Sequence, residues 1–472
     1  MDRSHGNEGL HVVMLPWLAM GHLTPFLHLS KRLAQKGFRV SFISTPKNIN
    51  FISKNSSSSL PSLIQFISIP LPNLPNNTQL PRNAESSMDI QNSKQPLLKD
   101  AFDLLQDPIA AFLREAKPEW IIYDFTASWI PTIAAQIGAS SAYFAVFSAA
   151  TLAYFGPPNV LLNGGIRRRP EDYTVSPSWV HFESNIAYRL HEVKKFFQRE
   201  KSDSADGRRF AGSISGSDFI AVRTSPELES EWIKLLPELY GKPVVPVGFL
   251  FPTAGGEGDE DHDEKLGVAI KEWLDQQVID SVLYVALGTE ATLTQEELTE
   301  LAHGLEKSGL PFLWALRDSP ESTRKVSEML PEGFEEKLGS RGFVYIGWVP
   351  QVSILGHPSI RGFLTHCGWN SVIEGLGFGR VLVLLPIIND QGLVARLVEG
   401  RKLGVEIQRN ESDGSLTRDS VAEMVRLAMV EREGEALREN ARRMKSVIRD
   451  ESNGSCFQTF IGYLEENKKF HC

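Results

Sequence analysis

The sequence predicts an α/β protein made of two doubly wound parallel sheets with a ligand cleft between them. The chain has 472 residues, more than one hydrophobic core supports, and both halves alternate short apolar runs with segments of helical periodicity. An acidic, glycine-rich segment that cannot build a core separates the halves. We expect an N-terminal domain at 1–250, a linker at 251–268, a C-terminal domain at 269–454 and a final helix at 455–472 that packs back on the N-terminal domain.

The first half begins with a strand, helix, strand unit, which predicts a parallel sheet. Residues 10–15 and 38–44 are apolar runs, and the apolar residues at 22–36 recur with helical spacing. Residues 155–217 lose this alternation apart from a helix at 186–200, and we interpret them as a lid or insertion. The same patterns predict strands at 64–69, 119–123, 141–147 and 218–222, and helices at 98–116 and 126–137.

The second half restarts the alternation, and ligands of such sheets bind at the carboxyl ends of the strands. We therefore expect the residues that follow each strand to face the cleft. The patterns predict strands at 282–287, 311–316, 343–346, 361–365 and 381–385, helices at 294–308, 417–429, 433–449 and 455–467, and short helices that begin near 350, 370 and 389.

Composition and motifs exclude several classes of function. The net charge of -9 argues against a surface for nucleic acid or anionic membrane. The three cysteines fit neither a disulfide framework nor a zinc site, and no run reaches the ~18 apolar residues of a membrane span. The first residues have no apolar run of the kind found in signal peptides, so we expect no secretory signal. The chain has neither the G-x-G-x-x-G of nicotinamide and flavin sites nor a P-loop. We expect a cytoplasmic monomer without metal, cofactor, nucleic-acid partner or membrane span.

The segment 348–391 spreads polar and aromatic groups over three predicted strand-to-helix turns. His366 follows a strand, Gly368 permits close approach to the backbone, and Asn370 and Ser371 suit the N-cap of the next helix. A helix N-terminus binds anions through its free N–H groups, and a neighbouring histidine can donate to the same anion. Together these residues fit a diphosphate without a metal, whereas His366 alone could equally satisfy a buried carbonyl.

The flanks of this segment offer groups for a nucleoside and a sugar. Trp348 presents a flat face to a base, and Gln351 can bind the polar edge of that base. Glu374 lies one helical turn after the N-cap and can accept hydrogen bonds from ribose hydroxyls. Asp390 and Gln391 follow a strand and suit sugar hydroxyls. Each of these residues alone is as well explained by packing, solvation or helix capping.

The whole segment resembles the donor-binding signature of plant family-1 UDP-dependent glycosyltransferases, whose two-domain fold is known as GT-B. The resemblance implies that Trp348 stacks on uracil, that Glu374 binds ribose and that the N-terminal domain binds the acceptor. V-A-L-G-T at 285–289 is similar to the family's other phosphate loop. The implied UDP-sugar site consists of Thr289, Trp348, Val349, Gln351, His366, Gly368, Trp369, Asn370, Ser371, Glu374, Asp390 and Gln391.

One departure from the family pattern concerns the acceptor. The family often has Gly-Val-Pro where this chain has G-R-V-L at 379–382, and this stretch is similar to a subgroup that extends sugar chains on glycosides. Known activities of that subgroup are glucosylation and rhamnosylation of terpenoid, saponin and flavonoid glycosides. Trp369, Asn370 and Gln391 favour UDP-glucose as the donor. UDP-rhamnose as the donor and a sugar-free acceptor stay open as alternatives.

His22 and Asp124 are the candidate catalytic pair, since each follows a predicted strand. A neutral imidazole can accept the proton of an attacking hydroxyl, and a buried carboxylate stabilises the resulting cation. The helix N-terminus at His22 disfavours that cation at rest. Alone, the two residues could simply cap helices, but the resemblance places the family's catalytic histidine and aspartate at these positions. It implies direct displacement with inversion at the anomeric carbon and no metal ion.

The sequence defines the acceptor pocket less clearly. Phe144, Phe147 and Tyr154 lie at or just beyond the last core strand of the first half, so they are candidates to line an apolar pocket. Core packing explains each of them equally well. Other functions also stay open at this point: a retaining transferase, a sugar-nucleotide epimerase, and a non-catalytic protein that binds nucleotide-sugars.

Overall fold

A computed structural model describes most of the chain. The predicted linker at 251–268 lies largely outside the described residues, and so does Thr289. The described residues are 9–55, 61–72, 74, 80–81, 83–162, 167, 169–199, 204–252, 267–288, 290, 292–317, 325–451 and 454–469.

In the described residues, the N-terminal domain is built on a seven-stranded parallel sheet with the order β3-β2-β1-β4-β5-β6-β7. The order reverses between β1 and β4, and His22 and Asp124 follow these two strands. The carboxyl edge at such a reversal is where doubly wound sheets bind ligands. The strands are β1 His11–Leu15, β2 Arg39–Ser44, β3 Ile64–Ser68, β4 Trp120–Tyr123, β5 Ser140–Ala145, β6 Phe219–Val222 and β7 Val244–Pro246.

The C-terminal domain contains a second parallel sheet, six-stranded in the described residues, with the order β10-β9-β8-β11-β12-β13. Here the order reverses between β8 and β11, which Gly288 and His366 follow. The predicted architecture of two doubly wound sheets is confirmed. The strands are β8 Val282–Ala286, β9 Phe312–Leu316, β10 Gly342–Ile346, β11 Ile360–Thr365, β12 Val381–Leu384 and β13 Gly404–Glu406, of which β13 was not predicted.

Several helices differ from the predictions. The helix predicted at 98–116 is two helices, and the one predicted at 126–137 begins as a 3₁₀ turn, Phe125–Ala127, before the α-helix starts at Ile130. The insertion contains a helix, Ser204–Gly216, that was not predicted because its glycines and serines are typical of loops. The α-helices are Met20–Gln35, Pro46–Asn55, Gln95–Asp103, Gln106–Ala116, Ile130–Ile137, Ala149–Phe155, Pro158–Leu162, Leu190–Arg199, Ser204–Gly216, Pro226–Tyr240, Val268–Asp275, Gln295–Ser308, Phe334–Leu338, Gln351–Gly356, Trp369–Gly377, Gln391–Gly400, Arg418–Met429, Glu435–Glu451 and Ser455–Glu466.

The helix Ser455–Glu466 packs on the N-terminal sheet although it follows the C-terminal domain. The Trp120 indole donates to the carbonyl of Leu464 at 2.9 Å, and Phe460 belongs to the same buried cluster as Trp120. Where the chain first leaves the N-terminal domain, the ring of Phe251 packs on Phe378 of the C-terminal domain, with 5.2 Å between ring centroids. The chain therefore passes between the domains twice, with packed contacts at both passages.

Candidate active site

The crevice at β1 and β4 brings His22 and Asp124 into contact. His22 lies in the first turn of the helix Met20–Gln35, and its Nδ1 is 2.7 Å from Oδ2 of Asp124. Asp124 is fully buried and also accepts hydrogen bonds from the backbone N–H groups of Trp17, at 3.1 Å, and Phe125, at 2.8 Å. These two N–H groups and the imidazole converge on one carboxylate, which orients the ring and leaves Nε2 for a substrate.

The charge of His22 is governed by the carboxylates around it. Burial lowers the pKa of His22, but the charge and hydrogen bond of Asp124 raise it, with further contributions from Glu290 and Asp390. The net result is a pKa above the ordinary value of 6.5. The acidic neighbours therefore favour the imidazolium, which opposes the effect expected from the helix N-terminus.

On the opposite wall, His366 lies between two glycine-containing loops. A Cβ at Gly288 would lie 2.5 Å from Nε2 of His366, and one at Gly368 would lie 2.6 Å from the same atom. Gly288 also has a φ of +79°, which favours glycine. The Nδ1 atom of His366 is buried without a hydrogen-bond partner among the described residues. Burial lowers the pKa of His366 to about 4, so the ring is neutral at physiological pH and can donate one N–H.

The next helix begins beside this imidazole, at Trp369, with Gly368 at the N-cap. Asn370 and Ser371 thus lie inside the first turn, two and three residues after the N-cap, so their predicted capping role is wrong. The first N–H groups of a helix have no partner inside the helix and attract anions. The predicted diphosphate residues His366, Gly368 and Ser371 therefore surround one helix N-terminus.

Two side chains of this first turn contact the N-terminal domain. The Trp369 indole donates to the carbonyl of Arg223 at 2.9 Å, and Nδ2 of Asn370 donates to the carbonyl of Gly21 at 3.0 Å. The Arg223 guanidinium in turn donates to Oδ1 of Asn370. Sequence reasoning missed Arg223, although a cation directly after the buried strand β6 marks the carboxyl edge of the sheet as clearly as Asp124 does after β4.

The predicted nucleoside residues form a connected group. Nε2 of Gln351 lies 2.7 Å from a carboxylate oxygen of Glu374 and 3.2 Å from the hydroxyl of Ser371. Burial raises the pKa of Glu374, although the hydrogen bond from Gln351 opposes this. Val349 is 4% exposed, so its side chain packs in the core and is not open to a ligand.

Trp348 is an exposed aromatic platform at the edge of this group. Its side chain is 48% exposed, which is unusual for tryptophan. The guanidinium of Arg317 lies 4.1 Å from the ring centroid, and Phe51 of the N-terminal domain meets the ring edge-on at 5.1 Å. A cation over a tryptophan ring is a favourable contact that fixes the ring in place, so the platform is held ready for a flat ligand.

The predicted sugar residues lie at the start of the helix Gln391–Gly400. Asp390 occupies the N-cap without a side-chain capping bond, and burial raises its pKa to about 6 while the nearby His22 lowers it. The amide oxygen of Gln391 accepts from the N–H groups of Ile387 and Ile388 at 3.0 and 2.9 Å. Its NH₂ group is thereby the part left to donate to a sugar hydroxyl.

Three phenylalanines close the crevice around His22. Phe147 meets the imidazole edge-on at 5.6 Å, Phe125 lies 5.9 Å from it, and Phe210 stacks on Phe125 at 4.2 Å. Sequence reasoning named Phe147 but missed Phe210, which lies on the unpredicted helix Ser204–Gly216. These rings form an apolar surface next to the predicted base.

The other two acceptor candidates lie elsewhere. Phe144 is fully buried and packs on Phe26 at 4.9 Å on the other face of the sheet, so its predicted place in the pocket is wrong. Tyr154 is 2% exposed, and its hydroxyl donates to the carbonyl of Tyr173 while the guanidinium of Arg167 covers its ring at 4.5 Å. Tyr154 thus anchors the insertion instead of facing the cleft.

Comparison with known proteins identifies the family. Residues 8–238 match the family model described as "Glycosyltransferase, N-terminal domain", and residues 240–452 match "UDP-glucoronosyl and UDP-glucosyl transferase". Over 444 residues, 93% of each chain, the protein is 52% identical to UDP-glycosyltransferase 91C1 of Arabidopsis thaliana. The chain belongs to the plant UDP-glycosyltransferase family.

Two further proteins place this UDP-glycosyltransferase among its relatives. It is 41% identical to soyasaponin III rhamnosyltransferase of Glycine max over 477 residues, which is 99% of this chain and 98% of that one. The structure of Glycyrrhiza uralensis UGT73P12 complexed with glycyrrhetinic acid 3-O-monoglucuronide has a TM-score of 0.78 at 23% identity, over 97% of this chain and 95% of that one, which shows a shared fold.

Membership of the family makes the protein a transferase and removes the sugar-nucleotide epimerase and the non-catalytic binder as alternatives. Within the part of the chain that the structure describes, no helix is long and apolar enough to cross a membrane. In that same part, no three acidic, histidine or cysteine side chains are grouped so as to hold a metal ion.

Proposed function

We propose that this enzyme transfers glucose from UDP-glucose to a hydroxyl group of a small plant metabolite that already carries a sugar, with inversion and without a metal ion. The observation that carries the proposal is the position of the His22–Asp124 pair across from the donor signature. Asn370, inside that signature, hydrogen-bonds the carbonyl of Gly21 at 3.0 Å, one residue before His22. Base and donor site therefore border the same small space.

The reaction follows from this arrangement. His22 accepts the proton of the acceptor hydroxyl, and Asp124 stabilises the imidazolium that forms. The acceptor oxygen attacks the anomeric carbon from the face opposite UDP, and the bond between that carbon and the diphosphate oxygen breaks. Negative charge grows on the departing diphosphate, where His366 and the N–H groups at the start of the helix Trp369–Gly377 stabilise it. Because these donors supply the positive field, the mechanism needs no metal.

The choice of glucose rests on the polar groups at the sugar end of the site. Asp390 and the NH₂ group of Gln391 offer an acceptor and donors for hydroxyls, and rhamnose has a methyl group where glucose has a hydroxymethyl group. A site built to bind a hydroxyl discriminates against the sugar that lacks it, since its buried polar groups stay unpaired. The relative named a rhamnosyltransferase keeps UDP-rhamnose as the alternative donor.

The proposal of a glycoside as the acceptor rests on the sequence similarity to a relative. The relative from Glycine max is named for a saponin, which is a glycoside. The G-R-V-L stretch at 379–382 gives no direct support, because the Arg380 guanidinium donates to the carbonyls of Leu355 at 2.8 Å and His357 at 3.1 Å and so braces the helix Gln351–Gly356. The phenylalanine surface beside His22 fits an apolar aglycone or an aglycone that bears a sugar.

A donor and acceptor panel tests the proposal. UDP-glucose and UDP-rhamnose are each incubated with a triterpenoid, a flavonoid and their monoglucosides, with and without chelator, and products are identified by mass spectrometry. We expect a hexose on a monoglucoside from UDP-glucose, unchanged by chelator, and a β-linkage by proton NMR. A deoxyhexose product would make the enzyme a rhamnosyltransferase, transfer to aglycones alone would exclude the glycoside, and an α-glucoside would exclude inversion.

A further inference from the structure

Arg223 joins three parts of the molecule that have to be aligned for transfer. It follows β6 in the N-terminal domain and is 1% exposed. Its Nε donates to the carbonyl of Phe249 at 2.8 Å, in the segment where the chain leaves this domain. Its Nη1 donates to Oδ1 of Asn370, and its own carbonyl accepts from the indole of Trp369. One residue thus holds the interdomain crossover and the first turn of the donor helix.

Asn370 passes this contact on to the catalytic base. A guanidinium only donates hydrogen bonds, so it fixes Oδ1 of Asn370 on its side and turns Nδ2 the other way. Nδ2 then donates to the carbonyl of Gly21 at 3.0 Å, one residue before His22. Both polar atoms of the Asn370 side chain therefore bind the N-terminal domain. The contact with the diphosphate that was predicted for this side chain would instead come from backbone N–H groups at the start of the helix.

The buried charge of Arg223 is compatible with this role. Burial lowers the pKa of Arg223 to about 9, and the carboxylate of Glu374 opposes that shift, so the guanidinium stays charged at neutral pH. A buried guanidinium is costly to keep without partners. Its donors face the crossover and the donor helix, so the contact stabilises one relative position of the two domains.

We propose that Arg223 is a positioning residue for sugar transfer, acting through Asn370 to set the donor helix against His22. The inference rests on the proposed transferase function. Displacement of the anomeric carbon by about 1 Å from the attacking oxygen is enough to cost about 10²-fold in rate. In the proposed function UDP binds to residues of the C-terminal domain, so we expect the loss of Arg223 to affect the chemical step more than nucleotide binding.

Arg223→Met and Asn370→Ala, alone and combined, test the inference. We expect each single variant to lower kcat roughly 10- to 100-fold while the Kd for UDP, measured by calorimetry, changes less than about threefold. The double variant should lose no more than the worse single variant, since both break the same link. The share of UDP-glucose hydrolysed by water instead of transferred should rise. Asn370→Asp, which keeps an acceptor for Arg223 but places a carboxylate against the carbonyl of Gly21, should match Asn370→Ala.

Arg32→Met is the matched control. Arg32 is also a buried arginine, at 7% exposed, and it donates to the carbonyl of Phe251 in the same crossover. Its loss should lower the Tm as much as the loss of Arg223 without changing the ratio of hydrolysis to transfer. Additive losses in the double variant, equal behaviour of the two arginine variants, or a Kd for UDP that weakens in step with kcat would overturn the inference.

Hydrogen exchange separates a failure of this inference from a failure of the proposed function. If the wild-type enzyme transfers no sugar from any donor, the proposed function fails, but the link is still measurable. Faster exchange at both 19–23 and 369–373 in Arg223→Met and Asn370→Ala, and not in Arg32→Met, would support the link. Unchanged exchange at 19–23 would refute it.

Discussion

Replacement of Asp124 by Asn tests the central pair with almost no change in shape. In the wild-type protein, Oδ2 of Asp124 accepts from Trp17 and faces Nδ1 of His22 at 2.7 Å, while Oδ1 accepts from Phe125. An asparagine has to place its NH₂ group at one of these two positions. In one orientation it donates to Nδ1 and forces the proton onto Nε2, so the imidazole is the wrong tautomer for a base. In the other, the tautomer survives but the negative charge is lost.

The expected loss follows from these two orientations. General base catalysis contributes about 10²- to 10⁴-fold, and the wrong tautomer in an analogous triad costs about 10⁴-fold. We therefore expect Asp124→Asn to lower kcat by about 10²- to 10⁴-fold, which is about 2.7 to 5.4 kcal/mol of transition-state stabilisation. One backbone N–H of the buried cluster is also left facing an N–H group, at a cost of about 1–3 kcal/mol in stability.

The pH profile distinguishes the electrostatic role from a purely structural one. The wild-type pKa of His22 lies above 6.5, so kcat/KM should fall as the pH falls through that pKa, because the imidazolium cannot accept a proton. In Asp124→Asn the carboxylate is gone, so burial dominates and the pKa of His22 falls. The acid limb of the pH profile, where kcat/KM decreases, should therefore move to lower pH. The raised pKa of His22 also makes the stability of the fold depend on pH. The His22–Asp124 attraction stabilises the folded wild type below pH 6.5, and this stabilisation is lost as the pH rises through the higher pKa of the folded state.

Steady-state kinetics from pH 5 to 9 with thermal unfolding at each pH provides the assay, with Glu229→Gln as the control. Glu229 is another fully buried carboxylate in the N-terminal domain, and it accepts from the N–H groups of Ala149 and Ala150 at 3.1 and 2.8 Å. Its amide variant should be destabilised to a similar extent with an unmoved acid limb. An Asp124→Asn enzyme with the wild-type acid limb and kcat within about threefold would refute the reasoning.

Four further substitutions probe the remaining parts of the site. Trp348→Ala should weaken UDP binding by about 1–3 kcal/mol because the stacking on the base is lost. An unchanged Kd for UDP by calorimetry would exclude Trp348 as the stacking platform. Gly368→Ala should lower kcat/KM at least tenfold by displacing the imidazole of His366, since its Cβ would lie 2.6 Å from Nε2; wild-type kinetics would contradict this packing. Phe147→Ala should raise the KM for the acceptor alone, whereas Phe144→Ala should cost about 3–5 kcal/mol in stability and leave both KM values unchanged. The reverse pattern would contradict their placement.

The sequence predicted the parts of the site that depend on strand order. His22, Asp124 and His366 each follow a buried strand, and parallel strands deliver such residues to one edge of the sheet. Phe144 was misplaced because successive residues of β5 point to opposite faces, and both faces of a doubly wound sheet are buried, so apolar character does not reveal which one borders the cleft. Phe210 was missed because its helix is stabilised by packing and has no clear period in the sequence.

Contacts between the two domains were beyond sequence reasoning for a different reason. Arg223 and Asn370 are 147 positions apart, and neither belongs to a pattern that names the other. Asn370 has the chemistry of an N-cap, and only the actual helix start at Trp369 shows that its amide is available for another partner. The sequence pattern shows where Arg223 and Asn370 lie relative to strands and helices. Their hydrogen-bond partners depend on how the two domains pack against each other.

The contacts between the domains also change the interpretation of the insertion at 155–217. The sequence allowed a lid, but Arg189 donates to Glu406 of the C-terminal domain at 3.1 Å, and Glu192 accepts from Arg396 at 2.8 Å. Glu406 is 2% and Arg396 5% exposed, whereas the side chain of Arg189 is 32% exposed. Movement of the helix Leu190–Arg199 away from the C-terminal domain would separate both pairs together. These ion pairs tie the insertion to the C-terminal domain at a place other than Arg223, so the two domains are joined by charged contacts at two separate positions.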